Sequence, residues 1–436
     1  MQELTYASAA TLARAIRGRR ISSREVVEAH LRRIEAVNPR LNAVAQLVAD
    51  TAMKEAAGAD ESLVRGELLG PLHGVPFTVK DWIETAGVVC AAGQVERREF
   101  VPRRDATVVA RMRAAGAIML AKTIDGHDNP VYGHTNNPYD VARTPGGSSS
   151  GEAALIAAGG SPVGLGSDSG GSIRYPAHCC GIAGLKPTNG RVPLTGHFPR
   201  INPLSDPRTQ IGPMARYAED LALVLPIISG PDYRDASVIP MPLEDWTAVQ
   251  VAGLRVAMYT HFPGASCTAD TLATVAAAAS ALEDAGADVE EAVPPRVEES
   301  LEITQRYWRR VESYSWNEWT PDKEEHSLTP EEIERSIFEW DRLRRAFLTF
   351  IGGYDLILCP VSGAPAGFGA ETDTDFIYTL PFSLTGWPGA VVRGGTSADG
   401  LPIGVQVVAR PWRDDVALAA AGRIEASLGG WQPPPL

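Results

Sequence analysis

The strongest constraint on the fold is a repeated alternation of helix-like and strand-like segments along the chain. Strand patterns occur at 73–80, 117–121, 162–166, 254–259, 355–360 and 404–409. Helix patterns between and after them occur at 105–115, 152–158, 269–284 and 414–428. This rhythm predicts an α/β fold, in which helices cover a central β-sheet.

Several element boundaries can be predicted from local signals. Ser22 and Glu25 form a capping-box pattern, which indicates the start of a helix that we expect Pro39 to stop. Asp105 is expected to cap the next helix, which runs to about Ala115. The acidic stretch 283–302 is interpreted as a solvated helix face and loop.

No linker or internal repeat divides the chain, so we expect a single domain over 1–436 with a helical insertion at about 290–350. The insertion contains a predicted helical pair at 298–319 and 330–350. Its aromatic and apolar residues follow helical spacing, with one face formed by Trp308 and Trp319 and an adjacent stripe by Tyr307, Val311 and Tyr314. Core packing is one interpretation of these residues, and an aromatic lid over a bulky apolar substrate is the alternative.

Composition excludes several classes of protein. The net charge of −13 argues against a nucleic-acid or anionic-membrane surface. The sequence has no secretory signal pattern and no apolar run of transmembrane length. Its five cysteines show no CxxC spacing, which favours reduced thiols in a cytoplasmic protein.

The segment 144–187 is rich in glycine and serine and contains the most informative candidate residues. Ser148 and Ser172 each follow a Gly-Gly pair, 24 positions apart. Such pairs let backbone N–H groups approach a ligand closely, as an oxyanion hole requires. The segment therefore indicates a nucleophile and a proton relay, and a glycine-rich turn with a capping serine is the structural alternative.

The candidate oxyanion donors are four consecutive backbone N–H groups that end at Ser172. They belong to Ser169, Gly170, Gly171 and Ser172. A nucleophilic serine needs a base, and no sequence pattern identifies one of the eight histidines as that base. Lys80, at the end of a predicted buried strand, is the remaining candidate, because burial lowers the pKa of a lysine. A surface pair of Lys80 with Asp81 is the alternative.

A metal site is not predicted. His127 lies between Asp125 and Asp128, but the sequence contains no HExxH or other matching ligand set. We interpret His127 as a solvent-facing residue or as one that supports other site residues from behind. No cofactor motif is present either, since the glycine-rich segments lack the GxxxxGK[ST] pattern of a phosphate-binding loop.

Three ordered motifs resemble the amidase signature family: GPLHGVPFTVKD (70–81), the Gly/Ser segment 145–187, and GLPIGVQVVA (400–409). The resemblance implies a central mixed twisted sheet with helices on both faces. It also implies a Ser–cis-Ser–Lys triad, in which Ser172 is the nucleophile, Ser148 the bridging serine with a cis peptide bond, and Lys80 the general base.

Supporting roles follow from the same resemblance. Asp168 is expected to fix the oxyanion loop and Ser149 to help hold the cis bond, whereas Arg174 is structural or, alternatively, meets a substrate anion. Two departures are visible: Ser150 replaces a common glycine, and the segment 123–137 is shorter than and different from the family sequence. Substrate specificity therefore cannot be transferred from the family.

The resemblance implies a cofactor-free hydrolase that cleaves C–N bonds of small-molecule amides. Carbamates, as in a urethanase, are a further option, because the same acyl chemistry acts on them. The alternative is the ammonia-releasing component of an amidotransferase (its A subunit), which acts on glutamine and needs a partner. A third class, a catalytically inactive binding protein, does not agree with the presence of all three triad residues, Lys80, Ser148 and Ser172. For the oligomeric state, a monomer and a homodimer are both retained as alternatives.

Overall fold

The structure, a computed structural model, describes residues 2–199, 207–310 and 328–436. The strands are β1 (Val44–Leu47), β2 (Pro76–Lys80), β3 (Ile118–Thr123), β4 (Asp128–Asn129), β5 (Gly133–His134), β6 (Val163–Asp168), β7 (Ala183–Lys186), β8 (Gln210–Ala215), β9 (Arg255–Met258), β10 (Asp288–Glu291), β11 (Leu356–Pro360), β12 (Gly389–Thr396) and β13 (Pro402–Ala409). The helices are α1 (Gln2–Tyr6), α2 (Ala9–Arg17), α3 (Ser23–Leu41), α4 (Ala49–Val64), α5 (Thr107–Ala114), α6 (Ser150–Ala157), α7 (Arg174–Cys179), α8 (Ala218–Ile228), α9 (Ala269–Glu283), α10 (Glu299–Trp308), α11 (Pro330–Ile351), α12 (Leu380–Thr385) and α13 (Asp414–Leu428).

Eleven of the described strands form one mixed sheet in the order β1–β3–β2–β6–β8–β7–β12–β13–β11–β9–β10. In it, β2 runs parallel to both β3 and β6, and β9 runs parallel to β10 and β11. The other neighbouring strands are antiparallel. The predicted α/β fold with a central mixed sheet is therefore confirmed, and the carboxyl ends of β2 and β6 lie at the same sheet edge.

Helices cover both faces of this sheet, because alternate residues of its strands are buried on opposite sides. In β13, Val405 and Val407 belong to an apolar cluster with residues of α2, α5, α8, α9 and α13. Val408 belongs to a cluster with α10, α11 and α12. A third cluster joins α3, α4, α6 and α7 to β3 on the face opposite the first.

Two of the predicted helix boundaries are wrong. The helix that begins at the Ser22 capping box, which is confirmed, continues through Pro39 to Leu41 and ends at Asn42, whose φ is +46°. Pro39 lies in the last turn, so the one hydrogen bond that it cannot donate is lost near the end of the helix and not in its middle. Asp105 does not cap α5, because its Oδ1 accepts a hydrogen bond from the Ala86 N–H over 2.8 Å.

The acidic stretch contains a strand that was not predicted. After α9 ends at Glu283, Asp288–Glu291 form β10 at the edge of the sheet, parallel to β9. The expectation of a helix face and loop over 283–302 is therefore wrong for these residues. Charged side chains on an edge strand discourage pairing with another chain.

The insertion contains two described helices where the helical pair is predicted. α10 corresponds to the start of the first predicted helix, and α11 corresponds to the second. Tyr307 is buried, and its ring centroid lies 4.9 Å from that of Trp340. Core packing is therefore the correct interpretation for Tyr307, whereas Trp308 at the end of α10 is 39% exposed. Val311, Tyr314 and Trp319 lie outside the described residues.

All five cysteines are free thiols, as the sequence analysis predicts. Over the described ranges, no helix combines the length and the apolar character needed to cross a membrane.

Candidate active site

Strand β2 places Lys80 on the sheet face that α6 covers. Successive side chains of a strand point to opposite faces, and Val79 joins the apolar cluster on the far face. Thr78 donates a hydrogen bond to the carboxyl group of Glu152 in α6. Lys80 Nζ donates one to Ser148 Oγ over 2.6 Å. The alternation of side chains along β2 thus places Lys80, the candidate base, within hydrogen-bond distance of Ser148, the candidate bridging serine.

Lys80 lies in an environment that favours the neutral form of its side chain. Burial lowers the pKa of Lys80 to about 7, although the charges of Asp125, Asp168 and Glu152 act in the opposite direction. A lysine with this pKa is about half neutral at pH 7, whereas a free lysine is almost entirely protonated there. Nζ also lies 4.0 Å from the centroid of the Trp82 ring.

The alternative interpretation of Lys80 and Asp81 as a surface pair is wrong, because both side chains are completely buried. Asp81 Oδ2 accepts a hydrogen bond from the Ala92 N–H over 2.7 Å, and its Oδ1 lies 3.9 Å from Lys122 Nζ. Asp81 therefore turns away from the Lys80 ammonium group and supports the neighbouring loop.

Two buried carboxyl groups near Lys80 were missed by the sequence analysis. Trp82 Nε1 donates a hydrogen bond to Asp125 Oδ2 over 2.5 Å, and Thr123 Oγ1 donates one to Glu152 Oε2 over 2.6 Å. Burial raises the pKa of Asp125 to about 6 and that of Glu152 to about 7. An acidic residue at the start of the small, apolar run EAALIAA was an available signal for Glu152.

The backbone around Ser148 connects it to the loop that carries Ser172. The Gly147–Ser148 peptide bond is cis, as the resemblance implies. The Gly126 N–H donates a hydrogen bond to the Ser148 carbonyl over 2.8 Å, and the Ser149 N–H donates one to the Ser172 carbonyl over 3.2 Å. Ser148 and Ser172 are both half-buried. Their hydroxyl groups are not hydrogen-bonded to each other within the described residues.

The loop 169–172 connects β6 to α7 and presents backbone donors beside Ser172. In the described part of the chain, the N–H groups of Gly170, Gly171 and Ser172 donate to no protein acceptor. Thr379 Oγ1 donates a hydrogen bond to the Gly170 carbonyl over 2.5 Å, which fixes the orientation of that peptide unit. Unused N–H groups next to an accessible hydroxyl group are what an oxyanion hole requires.

A side chain at Gly171 is expected to displace this loop. Its φ is +145°, and a Cβ atom would lie 2.4 Å from Thr379 Oγ1 and 2.8 Å from Phe376 Cδ1. We expect Gly171→Ala to lower kcat/KM for the amide hydrolysis that the resemblance implies about 10²–10³-fold, as the loss of one oxyanion donor does. Gly58→Ala in α4, where a Cβ meets nothing within 4 Å, is the control that should retain activity. Equal rates for both variants would contradict this role of the loop.

Asp168 and Arg174 form a buried ion pair across this loop. Arg174 Nε and Nη2 each donate a hydrogen bond to the Asp168 carboxylate over 2.9 Å, and the Ile173 N–H donates one over 3.2 Å. Burial alone would raise the pKa of Asp168, but the charge and hydrogen bonds of Arg174 hold that pKa below its usual value. The ionised pair thus connects the end of β6 to the start of α7.

The remaining donors of Arg174 reach distant parts of the chain. Nη1 donates hydrogen bonds to the Thr379 carbonyl over 2.9 Å and to Gln406 Oε1 over 2.6 Å, and Nη2 donates one to Ser383 Oγ over 2.7 Å. Arg174 has no exposed surface. The alternative that it meets a substrate anion conflicts with this burial, and the geometry supports the structural interpretation.

Removal of this guanidinium group is expected to destabilise the protein strongly. Arg174→Met leaves Asp168 as a buried carboxylate without its partner, which typically costs about 3–5 kcal/mol of folding free energy. The control is Arg345→Met, because Arg345 pairs with Asp341 on the exposed face of α11, where such pairs contribute about 0–1 kcal/mol. Urea denaturation measures both changes, and a loss in Arg174→Met no larger than in the control would contradict the assignment.

Aromatic side chains lie against the other side of the loop. The Phe376 and Tyr175 ring centroids are 4.8 Å apart, and Phe376 approaches Gly171. Trp308 Cζ2 lies 3.4 Å from the position of a Cβ on Gly170. These contacts join residues far apart in the sequence, so no local pattern could have assigned Phe376 to the site.

Known proteins resemble this chain over nearly its whole length. The family model described as Amidase matches residues 25–337 and 316–418. An acylamidase of Rhodococcus erythropolis is 32% identical over 98% of this chain and 96% of its own length. The A subunit of the glutamyl-tRNA(Gln) amidotransferase of Moorella thermoacetica is 34% identical over 98% of this chain and 97% of its own length. The solved structure of 6-aminohexanoate cyclic dimer hydrolase complexed with substrate matches with a TM-score of 0.87 and 26% identity, over 97% of both chains. The chain therefore belongs to the amidase signature family, whose enzymes hydrolyse amide C–N bonds.

Proposed function

We propose that this chain hydrolyses the C–N bond of small-molecule amides by acyl transfer through Ser172. The observation that most directly supports the proposal is the 2.6 Å hydrogen bond from the buried Lys80 to Ser148. Its lowered pKa lets Lys80 act as the general base near neutral pH. Ser148 is then the relay between Lys80 and the nucleophile Ser172.

The proposed reaction begins when Ser172 Oγ attacks the carbonyl carbon of the amide. Ser148 accepts the proton of Ser172 and passes its own proton to the neutral Lys80. Collapse of the tetrahedral intermediate breaks the C–N bond, and the proton returns from Lys80 through Ser148 to the departing amine. Water then attacks the acyl-enzyme along the same proton path and releases the carboxylic acid.

Backbone donors would stabilise the negative charge that develops on the carbonyl oxygen. The N–H groups of 169–172 lie next to the nucleophile at the start of α7, and Thr379 holds the Gly170 carbonyl away from them. Because such donors are already oriented before the reaction, they need no reorganisation in the transition state. The Asp168–Arg174 pair and Ser149 serve this arrangement as positioning residues.

The walls of the site support an amide with an aryl or alkyl group. Phe376 and Trp308, which approach Gly171 and Gly170, give this side of the loop an apolar character. Because α10 reaches Gly170, this helix of the insertion is suited to cover a bound substrate. Aryl carbamates present a similar carbonyl group and apolar substituent, so we include urethane hydrolysis in the proposal.

The amidotransferase alternative is supported by the similarity to the A subunit of the Moorella thermoacetica enzyme. It predicts glutamine as the amide substrate and a partner protein that receives ammonia. The aromatic residues Phe376 and Trp308 beside the loop suit an aryl or alkyl substituent better than the charged groups of glutamine, which favours the stand-alone amidase.

A matched set of substrates distinguishes these functions. We expect steady-state turnover of an anilide and, as a second activity, of an aryl carbamate, without release of ammonia from glutamine. A phenyl ester serves as the reactive control for a competent acyl-transfer site. Turnover of glutamine but not of the anilide would contradict the proposal and favour the amidotransferase.

A further inference from the structure

The β4–β5 hairpin brings together three potential metal ligands that the sequence analysis did not connect. One ligand atom from each of His127, Asp128 and His134 lies within 4.8 Å of the others, and we call these three residues the hairpin cluster. Asp128 is paired directly opposite His134 in the hairpin register. His134 Nδ1 lies 2.7 Å from Asp128 Oδ1, and the two imidazole centroids are 3.8 Å apart.

His127 provides a second, independent observation. Its side chain is only 6% exposed, and its Nδ1 is a buried polar atom without a hydrogen-bond partner among the described residues. A buried polar atom without a partner loses its solvation without compensation, and a bound metal ion would restore it. A neutral imidazole nitrogen is also the commonest protein ligand for a metal ion.

We propose that the hairpin cluster binds one divalent first-row transition-metal ion, with zinc as the reference ion. Two imidazoles and one carboxylate form a nitrogen-rich ligand set that suits zinc. Calcium and magnesium prefer oxygen ligands and are not expected to bind to this set. Three protein ligands leave a fourth position for water in a tetrahedral site.

The required adjustment is small. Metal–ligand bonds of about 2.0–2.1 Å place tetrahedral ligand atoms roughly 3.4 Å apart. Since the ligand atoms now lie within 4.8 Å of one another, no spacing in the cluster has to shorten by more than about 1.4 Å. Asp128 and His134 are exposed, so rotation of their side chains toward the buried His127 can achieve this.

The cluster lies beside the proposed active site but outside its proton path. Gly126, the residue before His127, donates a hydrogen bond to the Ser148 carbonyl over 2.8 Å. Neither imidazole of the cluster contacts Lys80 or Ser148 among the described hydrogen bonds. Metal binding is thus an additional property of the segment 123–137, where this chain departs from the family pattern.

Titration of the full chain with zinc tests the proposal. After treatment with EDTA and buffer exchange, calorimetry with ZnCl₂ should show one ion bound per chain, and CoCl₂ should give the visible absorption of a four-coordinate site. His134→Ala and Asp128→Asn should each weaken zinc binding at least tenfold, because each removes one ligand. The matched control is His261→Ala, an exposed histidine outside the cluster that should leave the affinity unchanged.

The following results would overturn the proposal. They are the absence of stoichiometric zinc binding, unchanged affinity in both His134→Ala and Asp128→Asn, and an equal loss in His261→Ala. Binding of MgCl₂ as tight as that of ZnCl₂ would also contradict it, since magnesium does not select imidazole ligands. We expect both variants to remain folded, because both replaced side chains are exposed. Circular dichroism of the two variants checks this expectation.

Discussion

Replacement of Ser172 by alanine is expected to lower kcat/KM for the anilide by about 10⁴-fold or more, because the reaction loses the atom that attacks the carbonyl. The same change should abolish covalent labelling by a fluorophosphonate. Intact-mass spectrometry would show one adduct on the parent protein and none on Ser172→Ala. The half-buried position of Ser172 beside unused backbone donors is the reason for this expectation.

Two further variants make the labelling experiment specific. Ser280→Ala changes an exposed serine of α9 and should be labelled like the parent protein. Ser148→Ala keeps the nucleophile but lacks the relay, so it should be labelled much more slowly. An adduct that persists on Ser172→Ala at the parent rate would show that another residue is the nucleophile.

The pH dependence of kcat/KM should report the titration of Lys80. Because burial lowers the pKa of Lys80 to about 7, the base is protonated below this pH and neutral above it. We therefore expect kcat/KM to rise about tenfold per pH unit below pH 7 and to level off above it. Lys80→Met should lower kcat/KM about 10²–10⁴-fold, the usual contribution of a general base, and should lose the inflection.

A second buried lysine provides the matched control. Burial also lowers the pKa of Lys186 to about 7, but its Nζ donates hydrogen bonds to the Pro187 carbonyl and Asn189 Oδ1 rather than to a candidate catalytic group. Lys186→Gln should therefore keep the inflection of the parent protein. An inflection that survives in Lys80→Met, or disappears in Lys186→Gln, would show that Lys80 is not the base.

The local parts of the site could be predicted from the sequence. The end of β2 at Lys80 follows from a short apolar strand pattern, and the turns around Ser148 and Ser172 follow from paired glycines. These features depend on neighbouring residues only. The alternation of helices and strands likewise predicted the α/β class, because each element buries one face in a recognisable period.

Contacts between distant segments could not be predicted in this way. Thr379 meets Gly170 across 209 positions, and His134 reaches Asp128 only because a hairpin forms between them. The error at Asp105 has the same cause, since its carboxylate is engaged by the Ala86 N–H rather than by the helix that follows it. Tertiary partners, not local preferences, decide these positions.

The long-range hydrogen bonds of Arg174 have a consequence for protein synthesis. Lys80, Ser148 and Ser172 are all translated before Gln406, which contacts Arg174 from 232 positions further along the chain. A nascent chain that has not yet reached β13 thus contains the three proposed catalytic side chains without the framework that aligns the nucleophile loop. Hydrolytic competence should therefore emerge late in translation, only after the ribosome has passed β13.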